Sequence, residues 1–363
     1  MSRLAEEIRA LVRDGGPIGV DRFMALALGH PTLGYYVTRD PLGAAGDFTT
    51  APETSQMFGE LVGAWAAAVW DAMGRPPAVR VVELGPGRGT LLKDALRVAA
   101  RVPGFAAALD LHLVETSPVL REAQRGALAG SGRPLAWHAD LAAVPPGPAI
   151  VLANEFFDAL PVRHYVRAPG GWHERLVGLQ GDALAFGLAP DPEPAITLKA
   201  PDGAVLEVGL VAQGIARELA TRLVREGGAA LVIDYGYAKP AFAETLQAVR
   251  RHGFTDPLAA PGEADLSAQV DFGGLRRAAE AAGAAVHGPV PQGAFLRALG
   301  IAQRAEALRA RATPGQAESI AAALERLTGA GTLQRRGMGE IFKALCIAAP
   351  ALPVPPGFEE IPR

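Results

Sequence analysis

Three glycines at alternate positions, Gly85, Gly87 and Gly89, follow an acid in the segment Glu83-Leu84-Gly85-Pro86-Gly87-Arg88-Gly89-Thr90. Placed after a strand and before a helix, such glycines let the backbone approach a ligand closely while helix-terminal amides face its polar groups. A dinucleotide loop of the form G-x-G-x-x-G does not fit, because its last glycine would fall at position 90, which is Thr. An acid just ahead of the first glycine suits S-adenosyl-L-methionine, whose ammonium group Glu83 can meet directly or through water. Glu115 closes the next apolar run, where a carboxylate can accept hydrogen bonds from both hydroxyls of a ribose. Asp140, after Trp137-His138-Ala139, is placed either to meet an adenine amino group or to stand as a solvated loop residue. The plainer reading of the glycines is an ordinary strand-to-helix turn, and Glu83 and Glu115, both in register with them, argue against it.

These residues need a frame. From Val79 onward, short apolar runs alternate with helical stretches, the pattern of a parallel sheet covered on both faces. Strands are expected at Val79 to Leu84, Leu109 to Glu115, Leu135 to His138, Ala149 to Ala153, Ala229 to Asp234 and Ile341 to Ala348. Helices are expected at Leu91 to Arg101, Pro118 to Leu128 and Leu275 to Ala282. Right-handed crossovers then give a doubly wound α/β sheet. Residues 1–75 read as a helical N-terminal cap that opens on an amphipathic helix with Leu4, Ile8 and Leu11 on one face. Residues 76–161 and 209–349 read as the core, 162–208 as an antiparallel insertion facing a substrate or partner, and 350–363 as a Pro-rich tail.

The chain of 363 residues is 49% hydrophobic and 20% charged, enough to bury a large core. No stretch reaches the roughly 18 uninterrupted apolar residues of a membrane helix, so no membrane insertion is expected. The start of the chain resembles neither a secretory signal nor a mitochondrial presequence. A net charge of −3 without a basic cluster argues against nucleic acid as a partner. The single cysteine, Cys346, can form no internal disulfide, and no Cys/His group has zinc-site spacing. The expected location is the cytoplasm, in a bacterium with a GC-rich genome.

Further segments are specific: Gly46-Asp47-Phe48-Thr49-Thr50-Ala51-Pro52-Glu53, Asn154-Glu155-Phe156-Phe157-Asp158-Ala159-Leu160-Pro161, Asp234-Tyr235-Gly236-Tyr237, Glu263-Ala264-Asp265-Leu266-Ser267 and Met338-Gly339-Glu340-Ile341-Phe342-Lys343. Together with the glycine loop, and in the same order from about Pro17 to Ala348, this set resembles the MidA-like class I methyltransferases, whose mitochondrial members are assembly factors of respiratory complex I. The resemblance implies a mostly parallel seven-stranded methyltransferase sheet, adenosylmethionine as cofactor, and methylation of an arginine on a protein, a complex I subunit. Ser267 departs from a motif that often has Thr there and keeps the hydroxyl.

Carried onto this chain, the resemblance has the loop from Asp47 to Glu53 close over the cofactor, with Asp47, Thr49, Thr50 and Glu53 near its polar end; the alternative is a surface turn. Asn154 and Glu155 fall at the carboxyl end of a central strand, where α/β enzymes place their chemistry. Asn154 is assigned to the cofactor, against the alternative that Asn154 and Asp158 cap a helix. A guanidinium stays protonated, so its methylation needs carboxylates that bind a planar cation and steer one nitrogen toward the methyl group. Glu155 and Asp158 can offer bidentate contacts, with Asp234, Asp265 and Asp271 as additional acids. His252 is a candidate base or substrate contact, although a lone histidine is more often structural. No metal is expected. Two alternatives stand beside this reading: a small-molecule methyltransferase on the same sheet, and an adenosylmethionine-binding assembly scaffold with little catalysis. The sequence leaves the oligomeric state open, a homodimer included.

Overall fold

The computed structural model describes residues 2–38, 50–239, 241–250, 253–331 and 337–359. The chain forms two compact units. One comprises Met1–Phe48, Phe157–Gly214 and Tyr237–Gly274; the other comprises Thr49–Phe156, Ile215–Gly236 and Leu275–Arg363. Residues 49–75 thus group with the sheet and 237–274 with the smaller unit, a division different from one drawn at 75, 161 and 208.

In the larger unit the apolar runs become β1 (Val79–Leu84), β2 (Leu109–Val114), β3 (Leu135–His138), β4 (Ala149–Asn154), β5 (Gly228–Tyr237), β6 (Ala285–Pro291) and β7 (Phe342–Ala348). Among the described residues these run in the order β6-β7-β5-β4-β1-β2-β3. Neighbours from β5 through β4, β1 and β2 to β3 are parallel, whereas β7 is antiparallel to both β5 and β6. The order turns back between β1 and β4, a topological switch point at which open α/β sheets bind ligands beyond the carboxyl ends of their strands. Here those ends carry the glycine loop and Asn154-Glu155.

Central parallel strands are covered on both faces and so read as unbroken apolar runs: Ala149 to Ala153 are all buried. The helix Gln56–Ala72 packs one face with Met57, Phe58, Leu61, Trp65 and Val69. Cys346 on β7 is buried, and burial pushes its thiol pKa upward, leaving it inert. The strand β6 was not legible in the sequence, because Gly288 and Pro289 interrupt it and its ladder with β7 shifts register between His287 and Val290.

The smaller unit holds the helices Arg3–Gly15 and Val20–Gly29 and an antiparallel sheet. Its strands Arg163–Ala168 and Gly171–Gln180 form the expected hairpin, with Ala168 opposite Gly171 and Gly170 at φ 97° in the turn. Leu4, Ile8 and Val12 of the first helix are buried with Phe23, Met24, Tyr35, Val177 and Leu266, while Leu11 is half-buried. A second sheet pairs Gln247–Arg250 with Gly253–Thr255 and with Asp265–Ser267.

Candidate functional site

The strand β1 ends in Leu84, and the helix Thr90–Ala99 begins after Gly89. Gly85, Gly87 and Gly89 take φ values of 60°, 53° and 82°, so every second residue of the loop lies in the left-handed region. A side chain there strains the backbone by about 1–2 kcal/mol. At Gly85 a Cβ would also come within 2.9 Å of the Phe156 ring. The loop is therefore closed to substitution by its own geometry, as a backbone cradle for a ligand must be.

Glu83 is 3% exposed. Burial pushes its pKa up to about 8, only partly offset by a hydrogen bond from the backbone of Leu92 in the following helix. Its Oε2 has no hydrogen-bond partner among the described residues. A buried carboxylate held mostly neutral, with one oxygen unmatched, fits a group that brings a positive charge, which the ammonium of adenosylmethionine does.

Glu115, next after β2, is nearly buried, and burial raises its pKa as well. The backbone N–H of Ser117 donates to its Oε1 at 2.8 Å, and Gln124 Nε2 donates to its Oε2 at 3.2 Å. Gln124 also donates to the carbonyl of Gly87 at 2.7 Å and accepts from Trp137 Nε1 at 2.8 Å. Sequence reasoning missed Gln124. The signal was there: within Pro118–Leu128 the buried positions are Leu120, Gln124 and Leu128, a polar residue inside an apolar i, i+4 row. Asp140 is exposed, and its Oδ1 accepts from the Ala143 N–H at 2.8 Å, an Asx turn.

After β4 comes Glu155, a non-glycine residue at φ 50°. Its N–H still continues the ladder to Ile233 O at 2.9 Å. Its Oε1 accepts from the Ala51 N–H at 2.9 Å and from Asn154 Nδ2 at 3.2 Å. Glu155 thus caps the short helix Ala51–Thr54, whose own N-cap, Thr50, makes no side-chain capping bond. On that helix Glu53 accepts from the Thr90 hydroxyl at 2.5 Å, tying the segment to the end of the glycine loop. Asn154 Oδ1 has no partner among the described residues. Helix capping by Asn154 and Asp158 does not occur, since the chain turns and enters the strand Arg163–Ala168. Asp234 on β5 is fully buried and accepts from the Tyr235 N–H at 2.8 Å.

A cavity of about 460 Å³ flanks the loop on its helical side, lined by Glu53, Gln56, Arg88, Thr90, Lys93 and Arg97 among others. Glu83 and Glu115 are not in its lining, so it is a neighbour of the cofactor cradle and not the cradle itself.

Asp158 and Asp265 belong to the smaller unit. There Tyr36 donates its hydroxyl to Asp265 Oδ1 at 2.8 Å. Burial, and then the charges of Asp265 and Asp158, push the Tyr36 phenol well above its usual pKa. Three segments far apart in sequence therefore bring two carboxylates and a phenol together. Asp271 Oδ1 accepts from the Gly274 N–H at 2.9 Å. Asp47, Thr49 and His252 lie outside the described residues.

The sheet order, the reversed β7 and the glycine cradle between two buried acids define a class I adenosylmethionine-dependent methyltransferase. The comparisons agree. Residues 61–290 match the family described as "Putative S-adenosyl-L-methionine-dependent methyltransferase". The protein arginine methyltransferase NDUFAF7 homolog, mitochondrial, of Drosophila melanogaster is 39% identical over 376 residues, spanning 95% of this chain and 84% of its own length. The human protein arginine methyltransferase NDUFAF7, mitochondrial, is 42% identical over 324 residues, spanning 82% of this chain and 73% of its own. A crystal structure from Burkholderia thailandensis, a COG1565 superfamily member and likely methyl transferase bound to S-adenosyl-homocysteine, superposes with a TM-score of 0.85 at 28% identity, covering 99% of this chain and 95% of that one. The chain belongs to this methyltransferase family and is an enzyme that uses S-adenosyl-L-methionine.

Proposed function

We propose that this chain methylates an arginine guanidinium of a protein substrate, a subunit of respiratory complex I. The observation that carries the reading is the surplus of placed carboxylates. Beyond Glu83 and Glu115, which suit the cofactor, the chain holds Glu155 just after β4, Asp234 buried within β5 and the pair Asp158 and Asp265 beside Tyr36. A permanently protonated, planar cation is the substrate that such acids recognise.

When bound, adenosylmethionine supplies an electrophilic methyl group carried on a sulfonium. The residues of the chain position and desolvate. Glu83 meets the ammonium, Glu115 the ribose hydroxyls, and the backbone at Gly85 to Gly89 accommodates the methionine portion. Asn154 is assigned to the cofactor, and Thr50 and Glu53 to its polar end; Asp47 and Thr49, expected in the same role, lie outside the described residues. Glu155, in a strained conformation fixed by the Ala51 N–H, is the first candidate to orient the guanidinium, with Asp158, Asp265 and Asp234 as the other acids and His252 as a candidate contact. Support for arginine as the acceptor also comes from the relatives, which carry that activity in their names. The relatives named are mitochondrial. A bacterial cytoplasmic location for this chain is a proposal drawn from its composition and single cysteine alone. No helix of the described residues is long and apolar enough to cross a membrane.

Labelled adenosylmethionine, incubated with the purified protein and a lysate from cells lacking it, is expected to label one protein on arginine. Mass spectrometry identifies that protein and the residue. Label appearing only in small molecules would overturn the protein substrate, and label on lysine would overturn the guanidinium.

A further inference from the structure

Gln124 has no exposed surface, and each polar atom of its amide is committed. Nε2 donates to Gly87 O at 2.7 Å and to Glu115 Oε2 at 3.2 Å, while Oε1 accepts from Trp137 Nε1 at 2.8 Å. An indole N–H can only donate, so Trp137 fixes which end of the amide is oxygen and turns both amide hydrogens toward the glycine loop and the acid. The helix also packs against the loop, with Gln124 Cα 3.5 Å from where a Cβ on Gly89 would stand. Three βα segments, ending β1, β2 and β3, thus meet in one side chain. Packing alone does not ask for this, since Leu or Met fills the same space without a buried amide that must find partners.

We propose that Gln124 is a positioning residue of the cofactor site, locking the Gly87 peptide and the Glu115 carboxylate into one frame so that loop and ribose acceptor are set before the cofactor arrives. The inference rests on the reading of Glu115 as the ribose acceptor. Gln124 acts in two ways. It holds the middle of the loop through Gly87, and its donated hydrogen bond favours the ionised form of a carboxylate that burial otherwise pushes toward neutrality. The Ser117 N–H, the Thr116 backbone and the charge of Arg121 also favour the ionised form. Arg121 itself donates through Nε to Glu115 O at 2.7 Å and reaches His138 O at 3.2 Å, joining the ends of β2 and β3. These groups, and the His138 ring at the end of β3, are unchanged when only Gln124 is altered.

The test is calorimetric titration of adenosylmethionine into wild type, Gln124→Leu, Trp137→Phe and Glu115→Gln across pH 5.5 to 8.5, with melting curves of each chain without cofactor. Gln124→Leu is expected to bind about tenfold or more weakly near neutral pH. Its affinity should fall off with acidification at a higher pH than in wild type, because Glu115 has lost a donor and takes up its proton earlier. Trp137→Phe keeps a smaller aromatic ring beneath Arg125 and removes the N–H that fixes the amide, so a loss of about threefold in the same direction is expected. It carries the test if Gln124→Leu does not fold. Wild-type affinity in Gln124→Leu, or in Trp137→Phe where that variant carries the test, alongside a weakened Glu115→Gln overturns the inference. So does an affinity loss that follows lost thermal stability with the pH profile unmoved, which marks a packing role only. Wild-type affinity in Glu115→Gln would remove the ribose acceptor itself, and the inference with it.

Discussion

The acids after β1 and β2 and the acids beside Tyr36 are assembled in different ways. Glu83 and Glu115 are buried at the ends of neighbouring strands, 32 residues apart in a repeated βα unit, and their donors come from the helices that follow them. Asp158 and Asp265 meet Tyr36 from segments more than a hundred residues apart. The first arrangement is carried by local backbone geometry; the second exists only once the smaller unit has folded. An acid pair can be written into one supersecondary unit, as Glu83 and Glu115 are, or be assembled by the fold of a whole unit, as Asp158 and Asp265 are.

That contrast is breakable. The largest effect is expected at Gly87, at φ 53°. Gly87→Val should weaken adenosylmethionine binding by more than about 100-fold, since a β-branched residue cannot hold that conformation without strain and blocks the close approach. Wild-type affinity measured by calorimetry would remove the loop from the site. Next comes Glu155→Gln, which keeps a carbonyl to accept from Ala51 and Asn154 but removes the charge. Glu155 is half-buried, and turnover at saturating cofactor should fall by about two orders of magnitude through loss of its charge-assisted contact to the guanidinium. Full turnover would move the guanidinium to Asp158, Asp234 or Asp265.

Smaller effects are expected beside Tyr36. Asp265→Asn should lower kcat/KM about tenfold, and Tyr36→Phe, which removes one donor, about threefold, with the loss appearing as a raised KM for the protein substrate. A change in cofactor affinity of that size in either variant would erase the distinction between the two regions. The smallest signal comes from Glu83. Its pKa near 8 leaves it mostly protonated at pH 7, and an arriving ammonium lowers that pKa. Cofactor uptake at pH 7 should therefore release close to one proton, read from calorimetry in buffers of different ionisation enthalpy. The release should shrink as pH rises past 8, where Glu83 is already ionised. Proton uptake would contradict the assignment.

The same contrast explains what the sequence made legible. Six strands of the sheet were readable as short apolar runs, most of them buried, and the glycine loop because its spacing is local. β6 was hidden by Gly288 and Pro289, and the Tyr36 to Asp265 bond by its 229-residue separation. The place of Glu155 after β4 was readable in the sequence, but its bond to Ala51, 104 residues back, was invisible without the fold. Gln124 was open to detection, since a polar residue in the row Leu120, Gln124, Leu128 breaks the apolar stripe.

The most direct test pairs cofactor titration with turnover at saturating cofactor, on an arginine-containing protein substrate, in Glu115→Gln and Glu155→Gln. Glu115→Gln should lose cofactor affinity by about tenfold or more, through weakened hydrogen bonds to the ribose, and recover most of its turnover once saturated. Glu155→Gln should bind the cofactor within about threefold of wild type and transfer methyl groups about a hundredfold more slowly. Equal losses of both properties in both variants would contradict the division of labour between the acids.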